Sequence, residues 1–219
     1  MNAMHVVVAV KGLELGKHRL AGVLTDAERR QLIALMLGDV LDTLHAASGV
    51  DAVSVLTADR SLLPEGVGHI DDQGFGLNAA VAHAARLLSA AGVRSMLVLP
   101  VDLPFVTSVD IAALLTAAKS HNAVIAPDAR RSGTNALLLS PPDLIQPRFG
   151  AQSFSSHLEA IRSRAEMRLS VTEQAVIEAC VVDRPGLAHD IDLPDDLFAL
   201  LNTPSGRYGF LDAALRKAS

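Results

Sequence analysis

Short runs of β-branched and aliphatic residues alternate along the chain with longer stretches whose apolar positions recur at helical spacing. That alternation predicts an α/β protein, a mainly parallel sheet with crossover helices on both faces. VVVAV at 6–10 predicts the first strand and DAVSVLT at 51–57 the second. Between them TDAE at 25–28 is a capping box, Thr25 as N-cap with Glu28 reaching back, and it opens a helix to about His45. A short strand is expected at 67–71, followed by the turn DDQGFG and a helix over LNAAVAHAARLLSAA. RSMLVLPV (94–101) predicts a buried strand, Thr107 or Ser108 caps another helix, and NAVIAP (122–127) and SGTNALLLS (132–140) predict two more strands. SFSSHLEAIRSRA is expected to form a helix capped by Ser153, residues 166–182 mix helical and strand patterns, and the tail from Ser205 is expected to be one terminal helix.

Composition sharpens this picture. The chain has 219 residues, half of them hydrophobic, which suits one domain over 1–219 with a sizeable core. No composition shift marks a linker, and neither a fixed-period repeat nor a low-complexity segment is present. A net charge of −5 without a basic run interleaved with aromatics argues against nucleic acid as a partner. The single cysteine, Cys180, implies no internal disulfide and is expected to be a buried structural thiol. MHVVVAVKG at the start is too short for a signal peptide's full layout, and no segment approaches a membrane span, so a cytoplasmic protein is expected.

Four stretches carry candidate chemistry. LVLPVDLPFVT (97–107) is apolar enough for a buried strand yet holds Asp102 between Pro100 and Pro104. An unpaired carboxylate is costly to bury and proline cannot feed a sheet ladder, so the strand should stop there with the carboxylate emerging at its end. In AHDIDLPDDL (188–197) the alternation places Asp190 and Asp192 on one face of an extended segment, roughly 7 Å apart by strand rise. Two carboxylates on one side call for a cation, and Mg²⁺ accepts one or two carboxylates together with substrate phosphates. Asp195 and Asp196, beside Pro194, are better placed as first-turn residues favoured by a helix dipole. Helix capping is the alternative reading for Asp190 and Asp192 as well.

The other two stretches suit phosphate and nucleoside. VAVKGLELGKHRL (8–20) runs a strand into a loop with Lys11, Lys17 and Arg19, where an open α/β sheet binds ligands. It contains neither GxxxxGK[ST] nor GxGxxG, and the competing reading is a solvated basic loop. In DDQGFGLNAA (71–80), Gly74 and Gly76 allow close backbone approach before a helix, and Asn78 offers a donor and an acceptor; an ordinary loop with capping residues is the alternative. The eight histidines show no HExxH or paired ligand spacing, and no serine sits in GxSxG, so zinc and serine hydrolases are not supported. His189 beside the acidic pair is expected to play a supporting or structural part.

Taken in order, VAVKGLELGKHRL, DQGFGLN, LPVDLP, APDARRSGTNALLL, RFGAQSF and PGLAHDIDLPDDL resemble the phospho-carboxylate guanylyltransferases of deazaflavin coenzyme F-420 biosynthesis, from Val6 to about Leu201. The resemblance implies a three-layer nucleotidyltransferase fold, like that of the nucleotide-diphospho-sugar transferases. It implies GMP transfer from GTP to 2-phospho-L-lactate, phosphoenolpyruvate or 3-phospho-D-glycerate, with pyrophosphate released and the product handed to a downstream deazaflavin transferase. It places Lys11 and Lys17, with Arg19, at the triphosphate, Gly76 and Asn78 near the guanosine, Asp102, Asp190 and Asp192 on Mg²⁺, and Thr134, Gly150 and Ser153 around the acid. Lys11, Lys17 and Asp102 would be the catalytic groups. The family often shows PVK where this chain has Ala9, Val10 and Lys11, and a small hydroxyl residue at the position of His18. Neither departure removes a charge.

A molybdopterin or sugar nucleotidyltransferase would share fold and chemistry, and a DID motif also occurs in metal-dependent glycosyltransferases. A non-catalytic nucleotide-binding module is the reading from a different class. A homodimer is expected from the prevalence of that state among soluble enzymes.

Overall fold

The computed structural model describes residues 4–10, 17–169, 177–203 and 205–218. A seven-stranded sheet runs through it in the order β3-β2-β1-β4-β6-β5-β7. Its strands are β1 (Met4–Ala9), β2 (Ala52–Leu56), β3 (Gly68–Ile70), β4 (Ser95–Pro100), β5 (Ala123–Pro127), β6 (Thr134–Leu139) and β7 (Ala179–Val181). β6 alone runs antiparallel to its neighbours β4 and β5, and the remaining pairs are parallel. The direction of β6 follows from the short turn after β5: Asp128 accepts from the Ser132 main-chain N–H at 2.7 Å and from the Ser132 hydroxyl at 3.0 Å, closing a hairpin rather than a crossover.

Strand residues alternate between two apolar layers. Val6, Val8, Leu97 and Leu99 face α1 (Asp26–Ala46), α3 (Ser108–Ala117), α6 (Leu197–Leu201) and α7 (Phe210–Ala218). Val7, Ala9, Met96 and Val98 face α2 (Leu77–Ala90) and α4 (Ser153–Leu169). Both faces are covered, which is why the central strands are apolar throughout. The capping box expected at Thr25 is formed, and of the two caps expected for the next helix, Thr107 or Ser108, it is Thr107 that caps α3, in a capping box with Asp110. Among the described residues no helix is long and apolar enough to cross a membrane.

Three local expectations are corrected. Ser153 is the first residue of α4 rather than its cap, because its N–H already closes a tight turn onto the Gly150 carbonyl at 3.2 Å. Cys180 is half-buried, since β7 is the edge strand and among the described residues pairs only with β5. The tail does not form one helix from Ser205: α7 begins at Phe210, after turns stabilised by Gly206 in a left-handed conformation (φ 61°).

Candidate active site

From β1 the chain moves to β2 and β3 on one side, then returns to β4 on the other, so the carboxyl ends of β1 and β4 flank a topological switch point. A cleft of about 580 Å³ opens there. One wall carries Lys17, Asp102, Asp190 and Asp192; the facing wall carries Thr134, Gly150 and Ser153. Of the residues expected around the ligands, Lys11 lies outside the described residues. Gly76 and Asn78 stand behind this lining, with Leu77 between them on it.

Each acidic residue is held by a specific piece of main chain. Asp102 follows β4, where Val101 donates to the Ala9 carbonyl at 3.1 Å and extends the β1–β4 ladder by one step. The Asp102 carbonyl in turn accepts from Ile191 at 3.1 Å, which lays the 190–192 segment across the end of the strand. Ile191 and Leu187 are buried on the core side, so Asp190 and Asp192 are turned the other way, as the period-two reading requires. Asn135 adds a second anchor, donating to the Leu187 carbonyl at 2.9 Å. The capping alternative for Asp192 fails here. Asp196 accepts from the N–H groups of Asp192 and Leu193 (2.8 and 2.6 Å), while the Asp192 carboxylate turns to Lys17.

One oxygen from each of Asp102, Asp190 and Asp192 lies within 4.8 Å of the others. Lys17 reaches into this cluster, donating to Asp102 Oδ2 at 2.5 Å and to Asp192 Oδ1 at 2.7 Å, with its side chain only 6% exposed. Its backbone sits in the left-handed region (φ 61°), uncommon away from glycine, and its carbonyl receives Leu20 N–H to start a short turn. Burial opposes the Lys17 charge, but Asp102 and Asp192 outweigh it and raise its pKa. Arg19 adds a longer contact to Asp192 at 3.6 Å. Asp190 is pushed up by burial and then by the Asp102 charge, with Asp192 adding to it.

The residues fit a divalent cation. Among the described residues Asp102 Oδ1 is buried without a hydrogen-bond partner, an arrangement that costs stability unless a cation completes it. An octahedral cation at ~2.1 Å spans about 4.2 Å between opposite oxygens, and the aspartate oxygens lie within 4.8 Å of one another. Asp128 also lines the cleft, but its carboxylate is taken up by Ser132 at the β5–β6 turn.

The facing wall is fixed from three directions. Asn78 donates to the Phe149 carbonyl at 3.0 Å and accepts the Phe149 N–H at 2.6 Å, so its amide holds the loop before α4. His157 on α4 accepts the Arg148 N–H at Nε2, at 2.8 Å, and its Nδ1 meets the Thr134 hydroxyl at 3.0 Å. Phe154 N–H donates to the Ser132 carbonyl at 3.2 Å. Asn135 and His157, which hold the cleft's main chain and Thr134, are positions that motif reasoning passes over. The signal in the sequence is a histidine on the face of a helix shared with Phe154, Leu158 and Ile161, where a polar group needs a buried partner.

Comparison with known proteins identifies the family and the fold. The model of the family described as "Guanylyl transferase CofC like" matches residues 4–208. A phosphoenolpyruvate guanylyltransferase of Rubrobacter xylanophilus is 39% identical over 203 residues, covering 90% of this chain and 93% of that protein. A 3-phospho-D-glycerate guanylyltransferase of Phenylobacterium zucineum is 33% identical over 209 residues, covering 92% and 91%. Among solved structures, a protein from Desulfovibrio desulfuricans described as a nucleotide-diphospho-sugar transferase superposes with a TM-score of 0.75 at 20% identity, covering 100% and 99%. That likeness establishes the α/β nucleotidyltransferase fold.

Proposed function

The chain belongs to the CofC-like guanylyl transferase family, and from that premise we propose that it transfers GMP from GTP to a small phosphorylated carboxylic acid, with pyrophosphate released. The observation that carries the reading to this cleft is the cluster of Asp102, Asp190 and Asp192 around Lys17, opposite a wall of neutral hydrogen-bonding groups at Thr134, Gly150 and Ser153. The relatives are named for phosphoenolpyruvate and for 3-phospho-D-glycerate, and with 2-phospho-L-lactate these are the acceptors to compare. A place in coenzyme F-420 biosynthesis follows from the family.

In the reaction, a phosphate oxygen of the acid forms a bond to the α-phosphorus of GTP as the α–β phosphoanhydride bond breaks. A phosphate monoester is already largely ionised at neutral pH, with its second pKa near ~6, so no protein group has to remove a proton. Positioning and charge neutralisation remain. Asp102, Asp190 and Asp192 would hold Mg²⁺, which when bound neutralises phosphate charge and polarises the phosphoryl group under attack. Lys17 stands among these carboxylates and moves its positive charge onto the phosphates as they enter, with Arg19 beside it; Lys11, given to the triphosphate by the family resemblance, lies outside the described residues. The start of α4, with Ser153 in its first turn, presents the positive end of a helix dipole to the acid.

The test is pyrophosphate release with GTP, Mg²⁺ and each of the three acids, for the natural chain and for Asp102→Ala. Loss of turnover by more than about a hundredfold, with the circular dichroism spectrum retained, is expected from removal of a metal ligand. Near-normal turnover in Asp102→Ala would refute the assignment of the cluster.

A further inference from the structure

The β5–β6 ladder contains an irregularity with a chemical result. Ala126 pairs with Ala136 and Pro127 with Thr134, so Asn135 is an extra residue in β6. In a regular ladder Thr134, two residues before Ala136, would share the face of Ala136, toward α1 and α3. The bulge instead sends Asn135 to the Leu187 carbonyl and turns Thr134 toward α4, where its hydroxyl meets His157.

His157 is fully buried and makes one hydrogen bond at each ring nitrogen. The Arg148 main-chain N–H can only donate, so Nε2 must carry the lone pair. A neutral imidazole then has its proton on Nδ1 and donates to Thr134 Oγ1. Phe149 packs edge-on against the ring, centroids 4.9 Å apart. Burial, reinforced by the Arg148 charge, pushes the His157 pKa down to about 4, so the ring stays neutral in the working range.

With Thr134 Oγ1 already accepting from Nδ1, its own hydrogen is directed away from the ring, and Thr134 lines the cleft. We propose that His157 is a positioning residue that fixes Thr134 as a hydrogen-bond donor to the anionic group of the acceptor acid. The opposite tautomer would take the threonine hydrogen for itself and present lone pairs to an incoming carboxylate or phosphate. The same histidine, through Arg148 N–H, ties that donor to the loop carrying Gly150, so wall and donor move together. This inference rests on the acid-binding role proposed for the Thr134 wall.

The experiment has two arms. In ¹⁵N-histidine NMR spectra of the intact chain, with His157 identified by its loss in His157→Gln, the Nδ1–H neutral tautomer is expected from about pH 7 to pH 5. An Nε2–H tautomer or an imidazolium would overturn the proposal whatever the enzyme's activity. In pyrophosphate-release kinetics with phosphoenolpyruvate, His157→Gln keeps an oxygen to accept Arg148 N–H but loses the donor to Thr134. Its KM for the acid should rise about tenfold, the scale of one lost hydrogen bond, while the KM for GTP stays within about twofold. His157→Asn, which keeps a donor near Nδ1, should retain more affinity for the acid. Thr134→Val should match His157→Gln, and the double variant should be no worse than the weaker single one. Additive losses, or an unchanged KM for the acid in His157→Gln, would overturn the assignment. Absence of turnover by the natural chain with all three acids would instead refute the function on which the kinetic arm depends, leaving the tautomer to decide the hydrogen-bond polarity.

Discussion

His157 should make the protein acid-labile above the range in which carboxylates titrate. Its pKa falls from 6.5 to about 4 on folding, so between those values the unfolded chain binds the extra proton. Stability from this group is complete above about pH 6.5 and is lost as the pH falls from there toward 4. A pKa that falls from 6.5 to about 4 corresponds to about 3 kcal/mol in full, of which about 2 kcal/mol is lost between pH 7.5 and pH 5. Other groups contribute around it. His5, lowered by burial, acts in the same direction, whereas Asp190, raised by burial and by Asp102, is relieved by acid and acts against it. Asp110 and Asp128 are lowered by hydrogen bonds that outweigh their burial, from Thr107 and Arg184 and from the Ser132–Gly133 turn respectively, and they give up stability below the usual carboxylate range. The assay is equilibrium urea unfolding across this pH range for the natural chain and His157→Gln, read as the difference between the two curves. A difference that stays flat to within about 0.5 kcal/mol from pH 7.5 to pH 5 would refute a neutral, buried His157.

Three further outcomes follow from named contacts. Asn78→Ala removes both bonds to Phe149, so kinetics should show a raised KM for the acid and a nearly unchanged KM for GTP, with about 1 kcal/mol lost in urea unfolding; a raised KM for GTP alone would place Asn78 at the nucleotide instead. Thr25→Ala breaks the capping box of α1 far from the cleft and should cost about 1 kcal/mol in the same unfolding assay without changing turnover. Asp190→Asn removes a charge that its surroundings disfavour, so thermal denaturation without added metal should show a higher Tm, while the rise in Tm that Mg²⁺ gives the natural chain should shrink and turnover should fall.

Much of the architecture was legible because the features that determine it are local. Thr25 and Thr107 each precede an acidic residue three positions on, and both form capping boxes. Asp102 between two prolines could end a buried strand but not continue it, and the structure places it there. The direction of β6 was not legible, because an apolar run such as NALLL has the same pattern in either sense and the deciding contact is the Asp128–Ser132 turn. The acidic trio could be paired by alternation for Asp190 and Asp192, while their meeting with Asp102 depends on the Ile191–Asp102 main-chain bond across 89 residues of sequence. Asn78 illustrates the opposite difficulty: a side chain equipped to read a base is engaged by the Phe149 backbone, a partner 71 positions away. His157 and the bulge at Asn135 carry no motif at all, since each acquires its meaning from the register of β6 against α4.

The most direct test of guanylyl transfer is to follow the label of α-phosphate-labelled GTP in the presence of Mg²⁺ and each phosphorylated acid, separating products by mass. The expected result is a labelled guanylyl-acid adduct with one of the acids, matched mole for mole by pyrophosphate, with the deazaflavin transferase added in parallel to trap a labile product. Label appearing only as GMP, or remaining in GTP with every acid while GTP still binds, would contradict it.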